Sequence, residues 1–334
     1  MWRRTRLLSA ATLFAVMAAP AMTGCGSESG ARYTVWYADV MDANPIANAI
    51  TQGLYDTLDK NGVKVTRSLA VDSTTGQIDL AAQSQALTRA IAAKPGAIAY
   101  FVLDPKASKP QIQQALAAHI PVFAAFGKPG FKVTGYLALD DRAAGRASAS
   151  YLAEHLPAGG KVAMIGGPRT PTGLATEAGA AEALEDAGMT IVGDIEQQRN
   201  LSDNSEGGNK VMQGILQRFP DVQGVFAYND DSALGAIAAA KQAGKSVKFT
   251  SRNGTADAVA AIKSGDLLAT CDLQPVQLGQ ALGKAILAEL KGTAELDNTA
   301  IEPPNAGDCL ITADGVAAWK PYEQQVNYRK IPLG

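Results

Sequence analysis

The residues most able to do chemistry lie in the segment Val225–Gly235, VFAYNDDSALG. An amide, Asn229, and two acids, Asp230 and Asp231, follow residues typical of a buried strand and precede a small-residue helical run. Asn and Asp satisfy the free N–H groups of a first helical turn, so helix capping is one interpretation of this segment. A ligand site is the other. Because one cap suffices and either acid can supply it, we expect Asn229 to be free for a ligand.

Two further Asn residues occupy similar positions in the sequence. Asn44 precedes Pro45 at the start of a predicted helix, and Asn253 precedes Gly254 after a predicted strand. Each has a structural interpretation, as a helix cap or a turn residue, and each also offers an amide to ligand hydroxyls. Lower-ranked candidates for ligand contact are Tyr37, Asp39, Asp42, Phe126, Arg252 and Gln274. In LALDDRAAGR, Asp140 and Asp141 are expected to be cap and hinge residues instead.

Sequence motifs for catalysis and metal binding are missing. The chain has two His residues, His119 and His155, and each stands two residues before a Pro where an apolar helix is predicted to end. HExxH, CxxC, Walker A and GxSxG patterns do not occur in the sequence. We therefore expect no enzymatic activity, no cofactor and no metal, and a hydrolase is the disfavoured alternative.

The N-terminus and the composition point to an exported protein. A net charge of −2 gives no basic surface for nucleic acid. MWRRTR is followed by the apolar run LLSAATLFAVMAA, which is too short for a membrane-spanning helix, and then by MTGC. MTGC resembles a bacterial lipobox, in which cleavage precedes the Cys and lipid is attached to it. We expect a signal peptide over 1–24, lipid on Cys25 that anchors the chain outside the cytoplasm, and a flexible tether over 25–32; ordinary secretion with a free Cys25 is the alternative.

If Cys25 carries lipid, Cys271 and Cys309 are left as a pair in an oxidising compartment. A disulfide between them is one prediction. Two buried free thiols are the other.

The elements that must position these residues alternate along the chain from residue 33. In the predicted helix NPIANAITQGLYDTLDKNG, apolar residues recur at four-residue spacing, and strand-like runs precede and follow it. This alternation predicts parallel sheets with right-handed crossovers and helices on both faces. The chain contains two runs of four or more strand–helix units, which are too many for one sheet. We therefore predict an α/β protein with two doubly wound lobes. Ligands bind beyond the carboxyl ends of parallel strands, so two facing lobes would form a cleft.

The chain resembles the type I periplasmic binding proteins of the ribose- and galactose-binding class over about residues 33–312. The segments that carry the resemblance are NPIANAITQGL, AAHIPVFA, LALDDRAAGR, RFPDVQGVFAYNDDSALGAIAAAKQAGKS and RNGTADAVAAIKSGDLLAT. The resemblance implies a three-segment hinge, with crossings near Leu137–Ala138, Leu273–Gln274 and Pro303–Pro304. It implies an N-terminal lobe of 33–137 plus 274–303 and a C-terminal lobe of 138–273 plus 304–334. It also places Cys271 and Cys309 on neighbouring strands, which favours their pairing.

The resemblance further implies a monomer that closes on a small ligand by hinge motion and delivers it to an ABC permease and its ATPase. Asn44 and Asn229 match ligand-contacting Asn residues of the family, and Asn253 occupies the position of a ligand-gripping Asp. A ligand-sensing receptor that signals to a membrane kinase or chemoreceptor is the alternative with the same fold.

The chain departs from the sugar-binding pattern at several of these positions. An Asp-Arg pair is replaced by Phe126 and Gly127, and an expected Gln falls on Leu273, with Gln274 one place later. Positions that usually hold an Arg or aromatic residues carry Ala178, Ile46 and Ala47. A standard aldohexose uses such charged and aromatic groups, so we predict a small polyol or a modified monosaccharide instead.

Overall fold

The computed structural model describes residues 33–39, 45–70, 79–303, 308–328 and 331. Its strands are β1 (Tyr33–Asp39), β2 (Val63–Leu69), β3 (Ala97–Tyr100), β4 (Val122–Ala124), β5 (Gly135–Leu137), β6 (Lys161–Ile165), β7 (Thr190–Ile191), β8 (Gly224–Ala227), β9 (Lys248–Asn253), β10 (Ala269–Asp272), β11 (Thr299–Ile301) and β12 (Leu310–Thr312). Its α-helices are α1 (Pro45–Asp59), α2 (Leu80–Ala93), α3 (Pro105–Ala117), α4 (Asp141–Glu154), α5 (Pro171–Asp186), α6 (Ser205–Arg218), α7 (Asp230–Gln242), α8 (Ala256–Lys263) and α9 (Pro275–Leu290).

The strands form two six-stranded sheets. The first has the order β11-β5-β4-β3-β1-β2 and the second the order β12-β10-β9-β8-β6-β7. Within the described residues every strand pairing is parallel except that of β10 with β12. We call the sheets with the helices that cover them the first and the second lobe. The predicted α/β class with two doubly wound lobes is confirmed.

The chain passes between the two sheets three times, from β5 to α4, from β10 to α9 and from β11 to β12. After the first crossing α4 packs against α5 and β9, and after the second α9 packs against α1. These crossings form the hinge. The residue boundaries that we predicted for the lobes stay a prediction.

Helices α1 and α9 pack closely because small residues line their contact. A Cβ on Gly279 would lie 2.0 Å from the carbonyl oxygen of Ile50, and one on Gly53 would lie 2.2 Å from that of Val276. Larger side chains at these two positions would force the helices apart. The close contact fixes α9 on the first lobe immediately after the second crossing.

A disulfide joins Cys271 in β10 to Cys309, with Cα atoms 4.7 Å apart. The predicted pairing is therefore present in the structure. The backbone N–H of Asp272 also donates to the carbonyl of Cys309, at 2.6 Å. Both contacts lie beside the second and third crossings, so they tie two segments of the hinge together.

Some predictions fall on parts of the chain that the structure does not describe. Cys25, Asp42 and Asn44 lie outside the described residues, as do the predicted signal peptide and tether. Among the helices of the described ranges, none is both long and apolar enough to cross a membrane.

Candidate functional site

The predicted cleft lies where the carboxyl ends of the two sheets meet. In the first lobe Phe101 follows β3 and Phe126 follows β4, and in the second lobe Asn229 follows β8. The lobes approach each other at this edge, because a Cβ on Gly127 would lie 3.8 Å from Cγ2 of Thr172 at the start of α5. The loop after β4 in the first lobe and the start of α5 in the second lobe are therefore close together at this edge.

Asn229 is almost fully buried, with 6% of its surface exposed, and its side chain caps α7. Its Oδ1 accepts from the backbone N–H of Ser232 at 2.9 Å, and its Nδ2 donates to Asp203 Oδ1 at 2.7 Å and to Tyr228 Oη at 3.0 Å. Our expectation that Asp230 or Asp231 would supply the cap is wrong. Both amide protons of Asn229 are used, which leaves a ligand the second lone pair of Oδ1.

Tyr228 enters the site although we did not select it from the sequence. Its hydroxyl oxygen accepts the proton from Asn229, so its own proton is left for another acceptor. The ring lies against Gly167, where a Cβ would be 2.3 Å from the aromatic carbons. Only Gly fits this position of the β6–α5 loop. The sequence could have indicated this role, because Tyr228 directly precedes the candidate Asn229 at the end of a predicted strand.

A buried ion pair fixes that loop. Glu177 Oε1 accepts from the N–H of Gly167 at 3.0 Å, and Arg199 binds both carboxylate oxygens of Glu177 at 2.9 Å. Arg199 also donates to the carbonyl of Gly167 at 2.8 Å. The hydrogen bonds that Arg199 donates to Glu196 and Glu177 raise the pKa of Arg199, so it stays charged. Both backbone groups of Gly167 are therefore bonded, the N–H to Glu177 and the carbonyl to Arg199.

Asp230 organises three segments of the second lobe from a fully buried position, with 0% exposed. Its Oδ1 accepts from Ser251 Oγ and Thr270 Oγ1, both at 2.6 Å. Its Oδ2 accepts from the N–H and the hydroxyl of Thr255 at 2.8 and 2.9 Å. Burial raises the pKa of Asp230 to about 6, and the hydrogen bonds oppose that rise. The start of α7 is thereby joined to β9, β10 and the start of α8.

Asn253 ends β9 in an unusual backbone conformation, with φ at +133°, and Gly254 follows with φ at +74°. A Cβ on Gly254 would lie 2.8 Å from Cα of Asp272, so this turn requires Gly. The side chain of Asn253 is half-buried and makes no hydrogen bond to another described residue. The role of Asn253 as a ligand contact stays a prediction.

Asp203 lies beside Asn229 in the loop before α6. Desolvation of the carboxylate and repulsion from Asp231 together raise the pKa of Asp203 to about 6, although the hydrogen bond from Asn229 acts to lower it. Its backbone φ of +53° places it in the left-handed region. Asp203 thus orients the amide of Asn229.

Arg252 is 5% exposed and donates from Nη2 to Asp141 Oδ1 at the start of α4. Burial raises the pKa of Asp141 to about 6 against the opposing effect of Arg252, and burial lowers the pKa of Arg252. Asp140 caps α4 through the N–H of Ala143 at 2.9 Å, as predicted. The ion pair holds the first turn of α4 against β9, and Arg252 has an internal partner at Nη2, whereas its buried Nε has no hydrogen-bond partner among the described residues.

Two first-lobe candidates also have internal partners. Tyr37 lies in the core with 1% exposed, and its hydroxyl oxygen lies 3.3 Å from Thr51 Oγ1. Burial raises the pKa of Tyr37 well above its ordinary value. Asp39 is fully buried and accepts from Arg67 Nη2 at 2.6 Å and from Thr51 Oγ1 at 3.0 Å. In this structure both residues stabilise the first lobe from within.

In the first lobe, aromatic side chains follow the carboxyl ends of β3 and β4. Phe126 stacks on Phe101 with ring centroids 4.9 Å apart and an interplanar angle of 9°. Phe126 was predicted, whereas Phe101 was missed although it directly follows the apolar run AIAY. Gln274 lies at the second crossing, in the left-handed region at φ +51°, and its Nε2 is 3.4 Å from the carbonyl oxygen of Asp308. Gln274 therefore belongs to the hinge.

No group of three or more His, Cys, Asp or Glu in the described part of the chain is arranged to hold a metal ion.

Comparison with known proteins gives three kinds of match. A family model described as a periplasmic binding protein domain matches residues 41–294. The ribose import binding protein RbsB of Bacillus subtilis (strain 168) is 28% identical over 244 residues, which are 72% of this chain and 76% of that protein. The xylitol-binding protein of Mycolicibacterium smegmatis is 30% identical over 168 residues, 48% of this chain and 46% of that protein. A crystal structure described as a periplasmic ribose ABC transporter from Conexibacter woesei DSM 14684 matches with a TM-score of 0.76 at 22% identity. The match covers 88% of this chain and 96% of that chain. At this identity it shows only that the two proteins share a fold.

Proposed function

Because this chain belongs to the periplasmic binding protein family, we propose that it captures a small sugar-like solute between its two lobes and delivers it to an ABC importer. Membership of this family implies a location outside the cytoplasm and a binding role. The relatives named for ribose and xylitol support a polyhydroxylated ligand. The finer assignments that follow are our own.

The observation that supports the proposal is the difference between the groups at the strand ends of the two lobes. The second lobe offers polar groups, namely the free proton of Tyr228, a lone pair of Asn229 and the amide of Asn253. The first lobe offers the stacked pair Phe101 and Phe126. A sugar or polyol has hydroxyl groups on one side and C–H groups on another, so such a cleft matches both.

The proposed ligand is small and uncharged. Three Arg residues close to described strand ends, Arg67, Arg199 and Arg252, are each bonded to a buried carboxylate. Their positive charges are therefore already compensated and do not favour an anionic ligand. A small polyol or a modified monosaccharide fits this environment, and Asp42 and Asn44 are proposed to add contacts from the first lobe.

Each hydrogen bond contributes only about 1 kcal/mol net, so several must act together with the aromatic surface. We propose that a ligand bridging both lobes favours the closed form, which the permease and its ATPase then recognise. The lobes are proposed to comprise 33–137 plus 274–303 and 138–273 plus 304–334. We also propose that the protein is a monomer and that lipid on Cys25 holds it at the membrane.

The test is a thermal-shift titration with xylitol and D-ribose on the wild type and on Asn229→Ser. Ser caps helices about as well as Asn, so the variant should fold, but the loss of the buried hydrogen bonds to Asp203 and Tyr228 should lower its melting temperature by about 2–8 °C. It loses the amide that holds Asp203 and faces the cleft. We expect a ligand-dependent rise in melting temperature for the wild type and none for the variant. An equal rise in both proteins would contradict the proposed site, and the absence of binding to any sugar or polyol would contradict the ligand class.

A further inference from the structure

The C-terminal strap, which we define as residues 319–328, touches both lobes. Trp319 packs against the second-lobe core, whereas Tyr322 is buried as part of the first-lobe core, to which Leu278 and Leu282 of α9 also belong. The two rings meet edge to face, with centroids 6.2 Å apart and planes at 67°. The strap is thus an additional connection between the lobes, after the three crossings.

The strap is also attached to the first lobe by a polar contact. Gln277 on α9 donates from Nε2 to Gln325 Oε1 at 3.0 Å, and Val326 packs against the same core as Tyr322. Because α9 is fixed to α1 by close helix packing, these contacts give Tyr322 a rigid base.

The hydroxyl of Tyr322 reaches from this base into the second lobe. It donates to the carbonyl of Asn253 at 2.6 Å, and the carbonyl of Gly254 and Asp272 Oδ1 lie nearby at 2.9 and 3.4 Å. The side chain is 5% exposed. A hydroxyl has one proton to donate, so the shortest of these contacts, to Asn253, is the principal bond.

The backbone that receives this bond needs support. A residue other than Gly at φ +133° is in a sparsely populated conformation that persists only where its surroundings enforce it. On the other side of the turn, the N–H of Gly254 donates to Thr270 Oγ1 at 3.2 Å. The turn is therefore held between β10 and the strap.

We propose that Tyr322 is a positioning residue of the ligand site, which holds the amide of Asn253 toward the cleft and links its position to the first lobe. This inference rests on the proposed function only in taking Asn253 as a ligand contact. Tyr322 itself touches no ligand, because its hydroxyl is occupied by backbone acceptors.

The first experiment needs no ligand. Hydrogen–deuterium exchange of the peptide 251–256 is compared in the wild type, in Tyr322→Phe, which keeps the ring and removes the hydroxyl, and in Tyr151→Phe. Tyr151 is the control because its ring packs at a tilt against His155, at the far end of α4. We expect the amides of Gly254 and Thr255 to exchange about fivefold faster in Tyr322→Phe, the effect of one lost hydrogen bond, and at the wild-type rate in the control. Unchanged exchange in Tyr322→Phe would overturn the proposal.

The second experiment separates positioning from general stability. Gly adopts positive φ without support, so in an Asn253→Gly background the loss of the hydroxyl should change exchange by less than about twofold. A hydroxyl that merely stabilises the fold would have the same effect in both backgrounds, and that result would contradict a positioning role.

The third experiment is calorimetric titration with xylitol and D-ribose. If the wild type binds either probe, Tyr322→Phe should bind it about fivefold more weakly and Tyr151→Phe equally well. Equal affinity in all three proteins would overturn the positioning role. A wild type that binds neither probe would count against the proposed ligand class alone, and the two exchange experiments would still decide the role of Tyr322.

Discussion

Asp272 is a carboxylate at the end of β10 whose charge is poorly solvated. It accepts from the N–H of Gln274 at 2.8 Å, and Tyr322 Oη lies 3.4 Å away. Burial raises the pKa of Asp272 to about 6, and the hydrogen bond from the N–H of Gln274 opposes the rise. The folded protein therefore binds a proton more readily than the unfolded chain, in which the pKa is about 3.9. The stability that this group contributes is present below about pH 4 and is lost as the pH rises through 6.

The Asp272→Asn variant should therefore be more stable than the wild type at pH 8, by about 1–2 kcal/mol, because the amide keeps an accepting oxygen and removes the buried charge. The gain should shrink as the pH falls from 6 to 4, where Asp272 becomes protonated in the folded protein. Urea unfolding at pH 8, 6 and 4 measures both values.

Asp266→Asn is the control for this prediction. Hydrogen bonds from Lys241 and Ser264 lower the pKa of Asp266, so its removal should give no gain at pH 8. A gain of equal size for Asp272→Asn at all three pH values would show that the effect is not due to the buried charge.

At the scale of elements, the pair α1 and α9 sets the geometry of the hinge. We predict that Gly279→Ala destabilises the protein by about 1–3 kcal/mol, because its Cβ would lie 2.0 Å from the carbonyl oxygen of Ile50 and neither backbone can move freely. Urea unfolding gives the free energy.

Gly214→Ala is the matched control for that substitution. Gly214 lies within α6, and a Cβ there would meet nothing within 4 Å. Ala has the higher helix propensity, so this variant should be more stable by about 0.5–1 kcal/mol. If the two variants shifted stability in the same direction, close packing of α1 on α9 would not be the reason for Gly279.

The sequence predicted the elements of secondary structure better than the roles of single side chains. Alternation of strands and helices follows from local periodicity, so the two lobes and the cleft at their strand ends were predictable. The roles of single side chains were not. Asp39 was a ligand candidate because it ends a strand, but its partner Arg67 comes from the neighbouring strand, 28 residues away. Asn229 kept two interpretations because the geometry of a helix cap and that of a ligand contact require the same residue at the same place.

The position of Tyr322 was beyond sequence analysis for a related reason. Its contacts join residues 68 and 69 positions apart, and neither the strap nor the turn at Asn253 has a local pattern that specifies the other. Cys271 and Cys309 were different, because so few Cys residues leave few possible pairs.

At the scale of the whole molecule, motion between the lobes is limited by the segments that join them. Three crossings connect the sheets, and the strap contacts both cores. The disulfide lies beside two of the crossings. Closure about this hinge must therefore preserve the contacts of β10 with β12, while the space between the strand ends changes.

The disulfide also constrains the unfolded chain on this scale. The two Cys residues are 38 positions apart, and the loop that they close contains α9, β11 and the second and third crossings. On the loop-entropy model a closed loop of that length stabilises the folded state by about 4 kcal/mol. The double variant Cys271→Ser/Cys309→Ser should lose about that free energy in urea unfolding, with little change in the affinity for xylitol or D-ribose, because no sulfur lies among the proposed ligand contacts. Thiol labelling of the unfolded, unreduced wild type is the check on the premise: we expect no label on Cys271 or Cys309 before reduction and one on each after it, and labelling without reduction would remove the basis for the predicted loss.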